Sequence, residues 1–102
     1  MEAIHKTVMM KPQDKVAVAL GRIPAGAAVE VNCEGHTYRI TISDEIDFGH
    51  KFAVVPIAKG DDIIKYGEVI GMASCDIAAG EHVHIHNLEG KRGRGDKVDT
   101  GK

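Results

Sequence analysis

Three histidines stand at alternate positions in the segment Gly80-Glu81-His82-Val83-His84-Ile85-His86-Asn87. Imidazole can act as a metal ligand, a proton carrier or a hydrogen-bond donor to an anionic substrate. On a regular strand, side chains two residues apart share a face, which would separate His82 from His86 by about 13 Å. Because a metal–nitrogen bond is only about 2.0–2.1 Å long, one ion could bind at most a neighbouring pair, either His82 with His84 or His84 with His86.

A metal site at this segment therefore needs further ligands, from elsewhere in the fold or from another chain. His50 and Asp47 are the candidates within this sequence. We predict His84 and His86 as catalytic groups and metal ligands, and Asn87 as an uncharged group that recognises substrate hydroxyls. A polar strand face turned to solvent would produce the same alternation without any site, since such faces are common in antiparallel sheets.

Two further clusters combine a glycine with polar side chains, Gly49-His50-Lys51 and Lys65-Tyr66-Gly67. Glycine lets the backbone approach a ligand closely, lysine supplies charge for a carboxylate, and tyrosine can donate a hydrogen bond or a proton. Both clusters are therefore candidates for binding substrate. Either of them could instead be a turn with solvated charges, and His5 and His36 are given no role.

The elements that must position these residues are predicted to be strands. Apolar residues alternate in short runs that are separated by glycine-containing turns, which is typical of β structure. These runs are KVAVAL (15–20), VEV (29–31), TYRITI (37–42) and HVHIH (82–86), with a continuous apolar run FAVVPI at 52–57. At most one short helical turn is expected, around residues 61–65, where an acidic start and Gly67 would suit the two ends of a helix.

A short pattern, I-x-x-G followed by a β-branched residue three positions later, occurs three times. The copies begin at Ile23, Ile57 and Ile77. Each predicts an apolar residue entering a tight turn, a glycine with positive φ and the start of a strand. The irregular spacing of the copies argues against a solenoid.

Composition excludes several classes of protein. The chain has 102 residues, of which 43% are hydrophobic, and this suits one compact domain. A formal net charge of -2 gives no electrostatic basis for binding nucleic acid. No apolar run reaches the roughly 20 residues of a membrane span, and the N-terminus lacks the apolar run of a signal peptide. Two cysteines are too few for a disulfide scaffold, so we expect reduced thiols and a cytoplasmic location.

The last residues differ from the rest of the chain. Residues 89–102 are rich in glycine and basic residues and have a single large apolar residue, Val98. They cannot bury enough surface to become ordered alone. We therefore predict a domain at residues 1–88 and a flexible tail at 89–102.

Taken together, these motifs resemble the SAF domain of altronate and galactarate dehydratases. The resemblance rests on Gly49-His50-Lys51-Phe52-Ala53, Ile64-Lys65-Tyr66-Gly67 and the HVHxHN pattern at residues 82–87, with Asp14-Lys15-Val16 near the start. It covers roughly residues 10–88, in order and with matching spacings. The small subunit of sulfolactate sulfo-lyase is similar as well.

The resemblance implies a β-clip fold of short, bent strands. It also implies an enzyme that removes water from sugar acids with the help of a divalent metal, Fe²⁺ or Mn²⁺, and whose catalytic apparatus lies mainly in a larger region. Because this chain starts with Met and ends soon after the motifs, we expect a separate small subunit that is inactive alone, although an isolated domain fits too. In the assembled enzyme, Lys51 or Lys65 would hold the substrate carboxylate, while His84 or His86 would contact the metal or the departing hydroxyl.

Other functions stay open at this point. The chain could be a noncatalytic or regulatory module that binds a sugar acid or another anion, because a β-clip fold does not by itself imply catalysis. It could also be a metal-binding assembly protein, and it could associate with copies of itself as a homo-oligomer. The substrate, the metal and the role of each histidine are not determined by the sequence.

Overall fold

In the computed structural model, which describes residues 5–90, the chain forms nine short strands in three small sheets. The strands are β1 (Thr7–Val8), β2 (Val16–Ala19), β3 (Ala28–Cys33), β4 (His36–Thr41), β5 (Lys51–Ala53), β6 (Asp62–Lys65), β7 (Glu68–Ala73), β8 (His82–Val83) and β9 (Leu88–Glu89). The sheets have the orders β1-β2-β5-β8, β3-β4 and β6-β7-β9, and their pairings are antiparallel. The all-β prediction is confirmed, and the short strands agree with a SAF-type fold.

The residues considered for a helical turn form a strand instead. Residues 62–65 lie in β6, which pairs with β7 across a two-residue turn at Tyr66 and Gly67. Ile63 and Ile64 are β-branched, and this favours extended backbone over a helix. Residues 5–90 form no helix with the length and apolar character needed to cross a bilayer.

Four turns share one conformation, and the pattern I-x-x-G marks each of them. Their isoleucines are Ile23, Ile46, Ile57 and Ile77, and their glycines Gly26, Gly49, Gly60 and Gly80 have φ values of 88°, 84°, 92° and 94°. The sequence pattern predicted three of these turns. The fourth, Ile46-Asp47-Phe48-Gly49, was missed because Phe52 stands where the other copies have a β-branched residue.

The four turns associate in pairs. Ile23 and Ile46 exchange two backbone hydrogen bonds of 2.8 and 2.9 Å, and Ile57 and Ile77 exchange two of 2.8 Å. All four isoleucine side chains are at most 2% exposed. Each pair of turns therefore closes one end of an apolar core.

The paired turns define two structurally equivalent units that share strand β5. The first unit runs from β2 through the β3–β4 hairpin to β5, and the second runs from β5 through the β6–β7 hairpin to β8. In the first unit the amide of Gly26 donates to the carbonyl of Ile42, and in the second the amide of Gly60 donates to Ala73. The amides of Gly49 and Gly80 likewise donate to Ala19 and Ala53. The same unit is thus built twice around the four-stranded sheet β1-β2-β5-β8, which we call the central sheet.

Each unit has its own core, and the central sheet separates them. Ala17 and Phe52 belong to the first core, whereas Val16 and Ala53 belong to the second. Successive residues of a strand point to opposite faces, so β2 and β5 contribute to both cores. This explains why all four residues of β2 are buried and why the run around β5 is continuously apolar.

The C-terminal boundary of the described domain differs slightly from the predicted one. Glu89, which we assigned to the tail, pairs with Met72 in β9, while the predicted tail from residue 91 onward lies outside the described residues. Cys33 is buried and Cys75 is exposed, and both are free thiols.

Candidate functional site

Three histidines from two separate segments meet at one end of the central sheet. Ring nitrogens of His50, His82 and His84 all lie within 4.8 Å of one another. His50 Nδ1 is 2.9 Å from His82 Nε2, and the rings of His50 and His84 stack with centroids 4.5 Å apart. We call these three residues the histidine cluster.

Two equivalent turns bring the first two members of the cluster together. His50 follows Gly49 and leads into β5, while His82 opens β8 just after the turn that ends at Gly80. Strands β5 and β8 are neighbours, with Phe52 opposite His82 and Lys51 opposite Val83. The pairing of two strands that are distant in sequence therefore places His50 beside His82.

A tight turn supplies the third member. Strand β8 ends at Val83, and the chain turns back through residues 84–87 before β9. The Asn87 side chain is 4% exposed and fixes this turn, because its Oδ1 accepts from the His84 amide (2.9 Å) and its Nδ2 donates to the His82 carbonyl (2.8 Å). Asn87 thus uses both polar atoms of its side chain on the backbone.

The expectation of a regular strand through residues 82–86 is wrong. The rings of His82 and His86 have centroids 5.4 Å apart, far closer than an extended strand would allow. The side chain of Asn87 captures the backbone in a local turn, a known competitor of strand pairing. Ile85, which the alternation would bury, is consequently 84% exposed.

His86 contacts His82 but does not belong to the group of three. Its ring is tilted by 33° from that of His82. Both residues line an open cleft of about 450 Å³ that Asp44, Asp76 and Glu81 also line. His86 therefore faces an acidic cleft beside the cluster, and His82 lies between the two.

The electrostatics of the cluster favour the neutral forms of His82 and His84. Partial burial, followed by the charges of His50 and His84, lowers the pKa of His82. Burial, followed by His50 and Lys51, lowers the pKa of His84. Several imidazoles crowded together cannot all carry a proton without mutual repulsion, so the rings are available to accept hydrogen bonds or bind a cation.

Lys51 connects the cluster to the Lys65-Tyr66-Gly67 turn. Burial, and then the charge of Lys65, lowers the pKa of Lys51, while Lys51 in turn lowers the pKa of His84. The ammonium of Lys65 lies 4.8 Å from the centroid of the Tyr66 ring. The charge of one predicted cluster therefore acts on the other, and the charge of Lys51 acts on His84.

A buried aspartate that the sequence left without a role fixes this second turn. Asp14 is 3% exposed, and its Oδ1 accepts from the amide of Gly67 at 2.8 Å. Its Oδ2 accepts from the amides of Met10 and Lys11, both at 3.1 Å. Tyr66 has a positive φ of 55°, which is an uncommon conformation for this residue. The hydrogen bond that the neighbouring Gly67 amide donates to Asp14 helps to hold it.

Sequence reasoning located most of these residues but not their grouping. It proposed His50 as a further ligand, and the structure brings His50 to the cluster, whereas Asp47 is not part of the group. His82 was considered only as one member of a pair and was left out of the predicted site. The fourth I-x-x-G copy, at Ile46, was the sequence signal that could have indicated this grouping. It places His50 shortly after a turn equivalent to the one that precedes His82.

Comparison with known proteins identifies one family over the whole described part of the chain. A family model for the altronate/galactarate dehydratase SAF domain matches residues 5–91. Altronate dehydratase from Escherichia coli is 49% identical over 74 residues, which are 72% of this chain and 14% of that protein. Altronate dehydratase from Bacillus subtilis is 42% identical over 88 residues, 84% of this chain and 15% of that protein.

A second kind of relative is matched over most of its own length. The subunit alpha of (2R)-sulfolactate sulfo-lyase from Paracoccus pantotrophus is 40% identical over 62 residues, 61% of this chain and 92% of that protein. The chain thus spans only a small part of the altronate dehydratases but nearly all of this subunit.

Proposed function

The chain belongs to the altronate/galactarate dehydratase SAF domain family, and we propose that it is the small component of a metal-dependent sugar-acid dehydratase. In this proposal it completes an active site that a larger chain mainly carries. The observation that supports it best is the histidine cluster, which joins three imidazoles from two segments next to two lysines. The relatives support both parts of the proposal. The altronate dehydratases support the type of reaction, and the sulfo-lyase subunit supports a separate small chain.

The cluster suits a divalent metal of the Fe²⁺ or Mn²⁺ type. Ligands of one first-row ion lie no more than about 4.2 Å apart when each bond is about 2.0–2.1 Å. The nitrogens of His50, His82 and His84 lie within 4.8 Å of one another, close to that spacing, and imidazole suits iron. His50, His82 and His84 would hold the ion, with remaining ligands from substrate or the larger chain. The bound metal would act as a Lewis acid at a substrate oxygen.

The lysines suit the carboxylate of the substrate. Lys51 is partly buried, and after burial the charge of Lys65 is the second cause that lowers its pKa. An anion between the two ammonium groups would relieve this repulsion. We therefore propose that Lys51 and Lys65 bind the substrate carboxylate, and that Tyr66 and the backbone of Gly49 and Gly67 shape the pocket around it.

The remaining predicted residues receive distinct roles in this proposal. His86 stands outside the group of three, at the rim of the acidic cleft, and could deliver a proton to the departing hydroxyl. Asn87 acts by holding the turn that presents His84 rather than by recognising hydroxyls, since both polar atoms of its side chain are engaged.

The test compares the assembled enzyme with two histidine variants. The tagged chain is purified with its larger partner, and dehydration of altronate and galactarate, reaction of sulfolactate, and metal content are measured. We expect His84→Ala to lower turnover at least about 100-fold and to reduce bound metal. His36→Ala, at the exposed tip of the β3–β4 hairpin, is the matched control and should change neither.

Two outcomes would contradict the proposal. Full activity of the larger chain without this one would remove the catalytic role. Unchanged turnover and metal content in His84→Ala would remove the cluster from the site. Calorimetry on the chain alone separates the remaining alternative, because tight binding of a sugar acid without the larger chain would indicate a noncatalytic binding module.

A further inference from the structure

Two large apolar side chains close in sequence to members of the histidine cluster are exposed. Phe48 is 71% exposed and Ile85 is 84% exposed, the highest values among the large hydrophobic side chains of residues 5–90. Phe48 lies two residues before His50, and Ile85 directly follows His84. The rings of His50 and His84 stack on each other, so the segments that carry the two apolar side chains meet at the cluster.

The four equivalent turns show that exposure of Phe48 is not required by the fold. The residue just before the glycine is Ala25, Phe48, Lys59 or Ala79 in the four turns. The backbone is the same in each, with a positive φ at the glycine. Only the turn that precedes His50 has a large apolar residue at this position. Its role must therefore lie outside the structure of the turn itself.

Ile85 is likewise held in the exposed position rather than left there by disorder. It sits in the turn that Asn87 fixes through hydrogen bonds to His84 and His82, and the Leu88 amide donates to the His84 carbonyl at 2.9 Å. A side chain of this size projected from a fixed turn exposes apolar surface at a cost that burial in an interface would remove.

We propose that Phe48 and Ile85 are the anchors by which this domain docks onto the larger catalytic chain. The occupant is a polypeptide homologous to the part of the altronate dehydratases outside the segment matched by this chain. Those relatives carry such a domain within a much longer protein, because the matched segment is only 14% or 15% of their length. Docking at this surface would also bring new ligands to a cluster that has only three of its own.

The exposed side chains of the anchors indicate the chemistry of the partner surface. Both are large and apolar, and covering them with apolar surface removes them from water. The partner surface should therefore offer an apolar pocket for each of the two anchors. This inference rests on the proposed function, because it assumes a larger chain, but it concerns the surface used and not the reaction.

Photocrosslinking in the native host tests the surface directly. The photoreactive residue p-benzoylphenylalanine replaces Phe48, Ile85 or, as the matched control in an equivalent turn, Lys59. We expect crosslinks from positions 48 and 85 to a chain whose peptides match the larger region of altronate dehydratases, and none from position 59. Crosslinks from 48 and 85 to a second copy of this chain would overturn the proposal.

A binding measurement with substituted chains gives an independent result. We expect Phe48→Ser and Ile85→Ser each to weaken binding of the larger chain at least about tenfold, whereas Lys59→Ser should leave it unchanged. Thermal melts of each variant establish that the domain remains folded. Unchanged binding in both anchor variants would overturn the docking surface while leaving the dehydratase proposal intact. Failure to recover any larger chain with the unsubstituted protein would overturn both.

Discussion

The two hairpins occupy equivalent positions in the two units, but only the second carries residues proposed for the candidate site, Lys65, Tyr66 and Gly67. The β3–β4 hairpin pairs six residues on each strand without a shift in register. The β6–β7 hairpin has a register shift between Ile63 and Ile64 and gains β9 as a third strand. The regular hairpin mainly buries apolar residues, and the irregular one supports the site.

A difference between two equivalent residues explains how the second hairpin accommodates β9 as a third strand. Ile40 lies opposite Val29 in the first hairpin, and Gly71 lies opposite Ile63 in the second. A Cβ on Gly71 would be only 2.4 Å from the carbonyl oxygen of Glu89. The missing side chain lets β9 approach β7, and β9 directly follows the turn that carries His84. A local loss of side-chain volume in one hairpin therefore helps to place a histidine of the cluster.

The tips of the hairpins differ in the same way. Both are two-residue turns with positive φ, at Glu34 and Gly35 in the first hairpin and at Tyr66 and Gly67 in the second. Asp14 holds the second tip through the Gly67 amide. The repeated unit therefore supplies the scaffold, and candidate site residues such as Lys65 and His84 lie where the second copy departs from it.

The largest expected effect is a difference in the free energy of unfolding between glycine-to-alanine variants of two turns that have the same backbone conformation. We predict that Gly80→Ala lowers the free energy of unfolding by more than about 4 kcal/mol, because its Cβ would lie 2.1 Å from the Thr41 carbonyl oxygen and its φ is +94°. Gly49→Ala has the same unfavourable φ but open space, so it should lower the value by about 1–2 kcal/mol. Urea unfolding of both variants measures the difference, and equal losses would show that Gly80 is not packed against the first hairpin.

An intermediate effect is expected at the hydrogen bonds that hold the second hairpin. Asp14→Asn keeps the size of the side chain but turns one acceptor into a donor that faces backbone amides. We predict a loss of about 1–3 kcal/mol in the free energy of unfolding. Hydrogen exchange should accelerate at the Gly67 amide while the Gly35 amide of the first tip serves as the control. Equal acceleration at both tips would mean that Asp14 supports the whole domain and not the second hairpin.

The smallest effect is expected at a carboxylate of the first hairpin. Glu30 accepts from Arg39 at 3.3 Å, and the side chains of the two residues are 52% and 85% exposed. Exposed pairs of this kind contribute little, so Glu30→Gln should change the free energy of unfolding by less than about 1 kcal/mol. A loss as large as that of Asp14→Asn would erase the contrast between the two hairpins.

Local patterns in the sequence predicted much of the scaffold. Alternation of apolar residues identified β3 and β4, and the glycines after Ile23, Ile57 and Ile77 identified three turns. These predictions succeed because a tight turn or a strand face depends mainly on neighbouring residues. Residues 82–86 were misassigned because the Asn87 side chain competes for their backbone, which the alternation of histidines does not reveal.

The grouping of the candidate site could not be obtained in this way. His50 meets His82 only because β5 pairs with β8, and the second hairpin contacts the segment before β2 through the bond from the Lys15 amide to the Ile64 carbonyl. Such contacts between distant residues depend on which strands pair. Sequence spacing alone does not specify that choice.

The sequence by itself determined the class of fold, the glycine turns and the residue types available for chemistry, including the clusters around His50, Lys65 and His84. These features follow from backbone preferences and from side-chain functional groups, which are properties of short segments. Only the tertiary structure decided that His50, His82 and His84 form one cluster, that His86 stands outside it, and that Asp14 holds the second hairpin. The reason is physical: strand pairing and the packing of two cores on opposite faces of one sheet bring together residues that no local preference could join.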